Sequence, residues 1–272
     1  MSTYVLATAE RPRRSYEITR LPSRRPLRWL RQGFDDLTAA PITGLLYGVA
    51  VAALALLIAS LIAEGSRFYL VPFIFGGFLI LGPILSVGLM ATAKRRERHT
   101  KSTASMLRIL AANGSALGLM GLFLLLIFAN WIMLSNLLFG GVFHEVMPTY
   151  EEVRPLPVMF GESWPFALVY GGIALVMTLL VFRITALSLP MLIDQRVDAL
   201  NAVFASWRAV GENWPAMIVW ALLIAGLVTL GLLTYALGLI IVTPLLGYAS
   251  WHAYRDTLIP QPTSSLSSET RS

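Results

Sequence analysis

Apolar residues fall in six blocks along the chain, each close to bilayer length and separated from the next by a shorter polar stretch. A helix needs about 20 such residues to cross the hydrocarbon layer. The blocks predict spans at about 41–62, 68–93, 114–138, 165–189, 215–233 and 237–254. Before spans one, three and five the pattern changes from continuous to periodic. Trp29, Leu30, Phe34 and Leu37 share one helical face, and Met106, Leu107 and Leu110 precede span three. Val197, Leu200, Val203, Phe204, Trp207 and Val210 form a stripe opposite Asp198, Asn201 and Arg208. That spacing suits short helices lying along a membrane surface.

Two spans carry breaks. Gly82 and Pro83 interrupt the second, and Pro244 interrupts the sixth. Proline removes a backbone donor, and within a membrane neighbours must re-satisfy the freed carbonyl. Gly44, Gly48 and Ala52 recur at every fourth position of span one, a face for close helix packing. The layout also repeats: Arg108 and Asn113 recur as Arg208 and Asn213 at the same spacing, and Pro83 and Pro244 occupy matching places. The expected fold is therefore all-α, a polytopic membrane helical bundle. It has six transmembrane helices and short amphipathic surface helices, arranged as three pseudo-repeats of surface helix plus hairpin. Residues 1–28 form a flexible basic cytoplasmic tail, 29–258 the membrane domain, and 259–272 a second flexible cytoplasmic tail.

Composition agrees with lipid as the solvent. Of 272 residues 56% are hydrophobic and 13% charged, against roughly 25% charged in a soluble domain. The net charge of +6 does not point to nucleic acid, because its basic residues flank apolar spans. Eight Lys or Arg lie in residues 1–40 and six in 94–112, whereas the proposed outer loops hold Arg67 and Arg154. That asymmetry places both termini in the cytoplasm. The chain has no cysteine, which excludes disulfides, thiolate metal sites and a cysteine nucleophile.

Arg183 is the ionisable side chain set furthest inside a span. It admits two roles, a ligand contact within the membrane, or snorkelling and pairing with Asp194 or Asp198. His252 sits among Trp251, Tyr254, Arg255 and Asp256 at the end of span six, where aromatic and basic residues anchor a helix to the interface. No catalytic motif is present: Glu151 and Glu152 are adjacent rather than opposed, and no HExxH or phosphate-binding glycine loop occurs. No enzyme activity, cofactor or metal is expected.

Four stretches carry a family likeness: WLRQGFDDLTAAP at 29–41, GFLILGPILSVGL at 77–89, LPMLIDQRVDALNAVFASWRAV at 189–210, and TPLLGYASWHAYRD at 243–256. Together they resemble a proteobacterial family of predicted integral membrane proteins, domain of unknown function 2189, over roughly residues 27–258. The resemblance implies a bacterial inner-membrane location and six spans, and it brings no activity. Relatives usually have Tyr-Glu where this chain has Met90-Ala91, and histidine where it has Tyr248, so a histidine pair with His252 does not carry over. Some members are labelled cytochrome c oxidase subunit I. Three histidines, His99, His144 and His252, are too few and too peripheral for haem and copper centres.

The functional expectation is a non-catalytic inner-membrane protein that organises the membrane or assembles partner subunits. The alternative is a transporter or permease for a small solute or lipid, with its path between the repeats. The partners expected are the lipid bilayer and other membrane proteins or further copies of the chain, with no nucleic acid.

Overall fold

A computed structural model describes residues 16–63, 82–97, 108, 111–142 and 164–260. The first half of the second expected span, most of the surface helix expected before span three and the loop around Tyr150 lie outside those residues. Helices dominate: α1 (Arg25–Ala39), α2 (Pro41–Ala63), α3 (Val87–Glu97), α4 (Gly114–Val142), α5 (Trp164–Thr185), α6 (Ser188–Asp194), α7 (Ala199–Glu212), α8 (Trp214–Leu233) and α9 (Leu239–Thr257). Two short strands, β1 (Tyr16–Ile18) and β2 (Leu258–Pro260), pair antiparallel with Glu17 opposite Ile259. Within the expected N-terminal tail, the described residues therefore hold a strand and the first turn of α1. The all-α expectation gains one small sheet.

Four stretches are long and apolar enough to cross a membrane: Pro41–Ser60, Gly114–Gly141, Trp164–Asp194 and Trp214–Leu233. Their large aliphatic side chains point outward; Leu46, Leu126, Leu175 and Leu222 are all exposed. A soluble bundle would turn these residues inward, whereas lipid makes the outward arrangement favourable. The buried core gathers at one end instead. Trp29, Leu89, Leu187, Leu189, Trp251 and Tyr254 are fully covered there, and Trp29 meets Trp220 edge-on at 5.7 Å between ring centroids.

The hub is α9, against which α1, α2, α3, α6 and α8 all pack. α1 covers its C-terminal half and α2 its N-terminal half, with close approaches made by glycine. A Cβ on Gly33 would stand 2.7 Å from the Leu245 carbonyl oxygen and 2.8 Å from the Ala249 nitrogen. Gly48 lies against the Ile240 carbonyl, the group that Pro244 leaves without its helical N–H partner. The helix break and the glycine ladder of span one are thus two halves of one contact. At the other break, the Tyr47 hydroxyl donates to the Leu85 carbonyl.

The surface-helix expectation needs correction for α1. Trp29 and Leu37 turn into the protein and Phe34 stays exposed, so the four apolar residues do not share one lipid-facing side. In α7 small residues do the packing (Ala199, Ala202, Ala205, Ser206 and Ala209 are buried), leaving Leu200, Phe204 and Trp207 exposed. Asn113 and Asn213 occupy matching posts, each just before a membrane-length helix. Asn113 donates to the carbonyls of Leu192, Gln195 and Val197. Asn213 donates to Thr19 and accepts from the Leu21 N–H.

Candidate functional site: a buried charge cluster and an apolar cavity

Charged residues of three motif stretches, together with Lys94, Arg96 and Glu97 of α3, gather around the C-terminal half of α9. Lys94 and Asp194, each with a side chain only 6% exposed, form an ion pair at 3.2 Å. The Lys94 ammonium also donates to the Ile193 carbonyl at 2.7 Å and the Asp194 carbonyl at 3.0 Å. Three donors are matched by three acceptors, which suits a buried cation and leaves none for a substrate. Asp194 further accepts from the Tyr254 hydroxyl at 3.0 Å and lies 3.7 Å from Arg255. Gln195 donates to the Tyr254 oxygen at 2.9 Å. Arg255 then pairs with Glu97 at 2.9 Å, and Glu97 accepts from the Trp251 indole at 2.8 Å.

A second group joins α1 to α3 and α9. Asp36 meets the His252 ring at 2.9 Å and Arg96 at 3.3 Å, and Arg96 donates to the Asp36 carbonyl at 3.0 Å. A third group sits at the base of α1, where Asp256 accepts from Arg25 at 2.7 Å and from the Trp29 indole at 2.8 Å. Burial alone would raise the Asp256 pKa, but the two hydrogen bonds and the charges of Arg25 and Arg28 outweigh it and hold the carboxyl below its usual value. The same hydrogen bond, the largest effect, raises the Arg25 guanidinium above its ordinary value. Each carboxylate named here has a cation or strong donor within reach. The Tyr248 hydroxyl and the Gln32 side-chain oxygen are buried here without a hydrogen-bond partner among the described residues.

Of the residues singled out in the sequence, Asp194 and His252 enter this cluster and Arg183 and Asp198 do not. Arg183 leaves both aspartates alone. Its guanidinium lies 3.9 Å above the Trp207 ring and its Nε donates to the Trp207 carbonyl at 3.3 Å. Asp198 caps α7 by accepting from the Asn201 N–H at 3.3 Å, a local helix-start role. Lys94, Asp36, Glu97 and Gln195 carry no signal of a site in the sequence pattern, and Tyr254 enters there only as an interface anchor. Lys94 sat in a run read only as an orientation signal.

A cavity of about 170 Å³ opens among α2, α3, α5, α8 and α9. Among the described residues Gly82 and Pro83 line it, Pro244 and Arg183 do not, and no charged side chain does. Its wall is mainly aliphatic with Phe182 and Trp220. The hydroxyls of Ser86, Thr185 and Ser250 are turned back onto carbonyls of their own chain segments. Among the described residues no group of His, Asp and Glu is arranged to hold a metal ion.

Membrane-length helices with outward aliphatic side chains, locked at one end by paired charges, define an integral membrane protein with several spanning helices. Residues 70–194 match the model of the family described as Predicted integral membrane protein (DUF2189), the family that the motifs resemble. The motif stretches at 29–41 and 243–256 lie outside the matched region, yet they supply Asp36, His252 and Asp256 to the cluster. No curated protein and no solved structure matches the chain.

Proposed function

We propose that this is a non-catalytic six-span protein of the bacterial inner membrane, with both termini in the cytoplasm, which organises the membrane or assembles partner subunits. One observation carries the reading: the buried charges tie helices to one another, and none of them lines the intramembrane cavity. A pump driven by protons or sodium needs ionisable groups along its path, whereas paired charges fix helix register. The exposed Leu200, Phe204 and Trp207 of α7 offer a surface to lipid or to a partner subunit. The six-span layout with three pseudo-repeats draws support from the Lys/Arg asymmetry and from the matching posts of Asn113 and Asn213. Lys94 and Arg255 also stand equally far beyond Pro83 and Pro244, and both reach Asp194.

The cavity beside Gly82 and Pro83 favours the second reading, passage of an apolar solute or lipid. Vesicles reconstituted with the full chain separate the two. On the scaffold reading, uptake of any screened solute stays at the level of empty vesicles, and Arg183→Gln leaves complexes intact with some loss of stability. Uptake that depends on the wild-type protein and vanishes in Arg183→Gln would overturn it. For topology, a cytoplasm-active reporter fused after Lys101 or at the C-terminus works and one near Tyr150 is silent; activity at Tyr150 sinks the six-span layout.

A further inference from the structure

We propose that the cavity and Arg183 together form a binding site for one anionic phospholipid, a segment of one acyl chain in the cavity and the phosphate on the guanidinium. The cavity opens sideways into the region of the membrane-length helices. α5 and α8 both line it, scarcely touch each other, and are bridged by α7, which packs on both. Leu179 of α5 and Ala225 of α8 are both exposed and both line the cavity, so its mouth faces the hydrocarbon layer. Apolar cavities of about 150 Å³ exclude water and accept apolar guests. At this depth the surrounding medium is acyl chain, which makes a lipid tail the occupant at hand.

The headgroup end follows from Arg183. It sits in the last turn of α5, next to the cavity-lining Phe182, and rests on Trp207. The guanidinium extends across Gly211, where a Cβ would stand 2.9 Å from its terminal nitrogen, so it reaches along α7 toward the start of α8. Among the described residues no carboxylate pairs with it. Its position is fixed by stacking, its charge is uncompensated, and its fork of N–H donors matches a phosphate. An arginine at this boundary attracts an anionic headgroup and discriminates against a zwitterionic one. The site does not depend on the choice between scaffold and transporter.

The test uses the full chain in nanodiscs with equal phosphatidylglycerol and phosphatidylcholine, followed by release into mild detergent and native mass spectrometry. The wild type keeps one phosphatidylglycerol per chain. Ala225→Phe, which fills the mouth, loses retention of either lipid, while Leu222→Phe on the exposed face of the same helix keeps it. Arg183→Gln lowers the preference for phosphatidylglycerol roughly fivefold, and Arg183→Lys, which preserves the charge, retains most of it and serves as the readout if the Gln variant fails to fold. No retained lipid in the wild type, no headgroup preference, retention unchanged in Ala225→Phe, or a second copy of the chain filling the mouth would each overturn the proposal.

Discussion

Removing the Lys94 side chain would leave the Asp194 carboxyl under a cover of protein without its nearest cation, and with Arg255 at 3.7 Å. Breaking a pair this buried costs about 3–5 kcal/mol, because the lone charge loses its compensation and keeps its desolvation. Lys94→Met should therefore lower the unfolding temperature in nanodiscs strongly. Combining it with Asp194→Leu should recover part of the loss, and a double variant worse than the sum of the singles would remove the argument. Asp256 makes a pH prediction. Its folded pKa lies below the unfolded value of about 3.9, so its stabilisation is present above that value and fades as pH falls through the folded one. The gap in unfolding temperature between wild type and Asp256→Asn should be constant from pH 7 to 5 and shrink below about pH 4; a gap that ignores pH would dispose of the assignment. The partners themselves were hidden in the sequence. Asp194 was a natural mate for Arg183, close in sequence, yet Lys94 takes it from a hundred positions away. Nothing in periodicity ranks one cation above another, and only packing around α9 decides. His252, read as an interface anchor, is held by Asp36 for the same reason.

Among the helices, local signals were the legible ones. The Gly44, Gly48 and Ala52 ladder declared a close-packed face, and α2 uses it: Gly44 stands against Pro244, Gly48 against Ile240, and Ala52 packs with Leu239. Gly48→Leu should wedge α2 off α9 and cost on the order of 3 kcal/mol, while Gly226→Leu, with open space around its Cβ position, should be close to neutral. Equal unfolding temperatures for the two variants would refute this packing. The orientation of α1 and α7 was less legible, because an amphipathic pattern does not say which face meets protein. In α7 alanines turned inward and the large residues stayed outside, the reverse of a water-soluble helix. For α7 we expect that a cysteine at Asn201 will resist labelling from the periplasm, since Asp194, Arg196, Asp198, Arg208 and Glu212 would each be costly in hydrocarbon; strong labelling would show the segment crossing.

Taken whole, the molecule closes on itself through β1 and β2, and the register puts Glu17 opposite Ile259. With no native cysteine to interfere, Glu17→Cys/Ile259→Cys should cross-link on oxidation and raise the unfolding temperature, by about 2–4 kcal/mol of stability. A pair that stays reduced would argue against the register. The two chain ends were read as tails because three-residue strands carry no pattern of their own. Their pairing belongs to a wider feature, the central place of α9, which leaves the ribosome after every other described helix. Until it arrives, Gly33 of α1 lacks the backbone of Leu245 and Ala249 on which it packs, Asp36 lacks His252, and Asp194 lacks Tyr254 and Arg255. The first helix of the bundle must wait through the synthesis of almost all the others for its mate. A chain terminated before Leu239 would hold the four membrane-length helices yet present bare charges and open helix faces, a state that proteolysis in the cell removes.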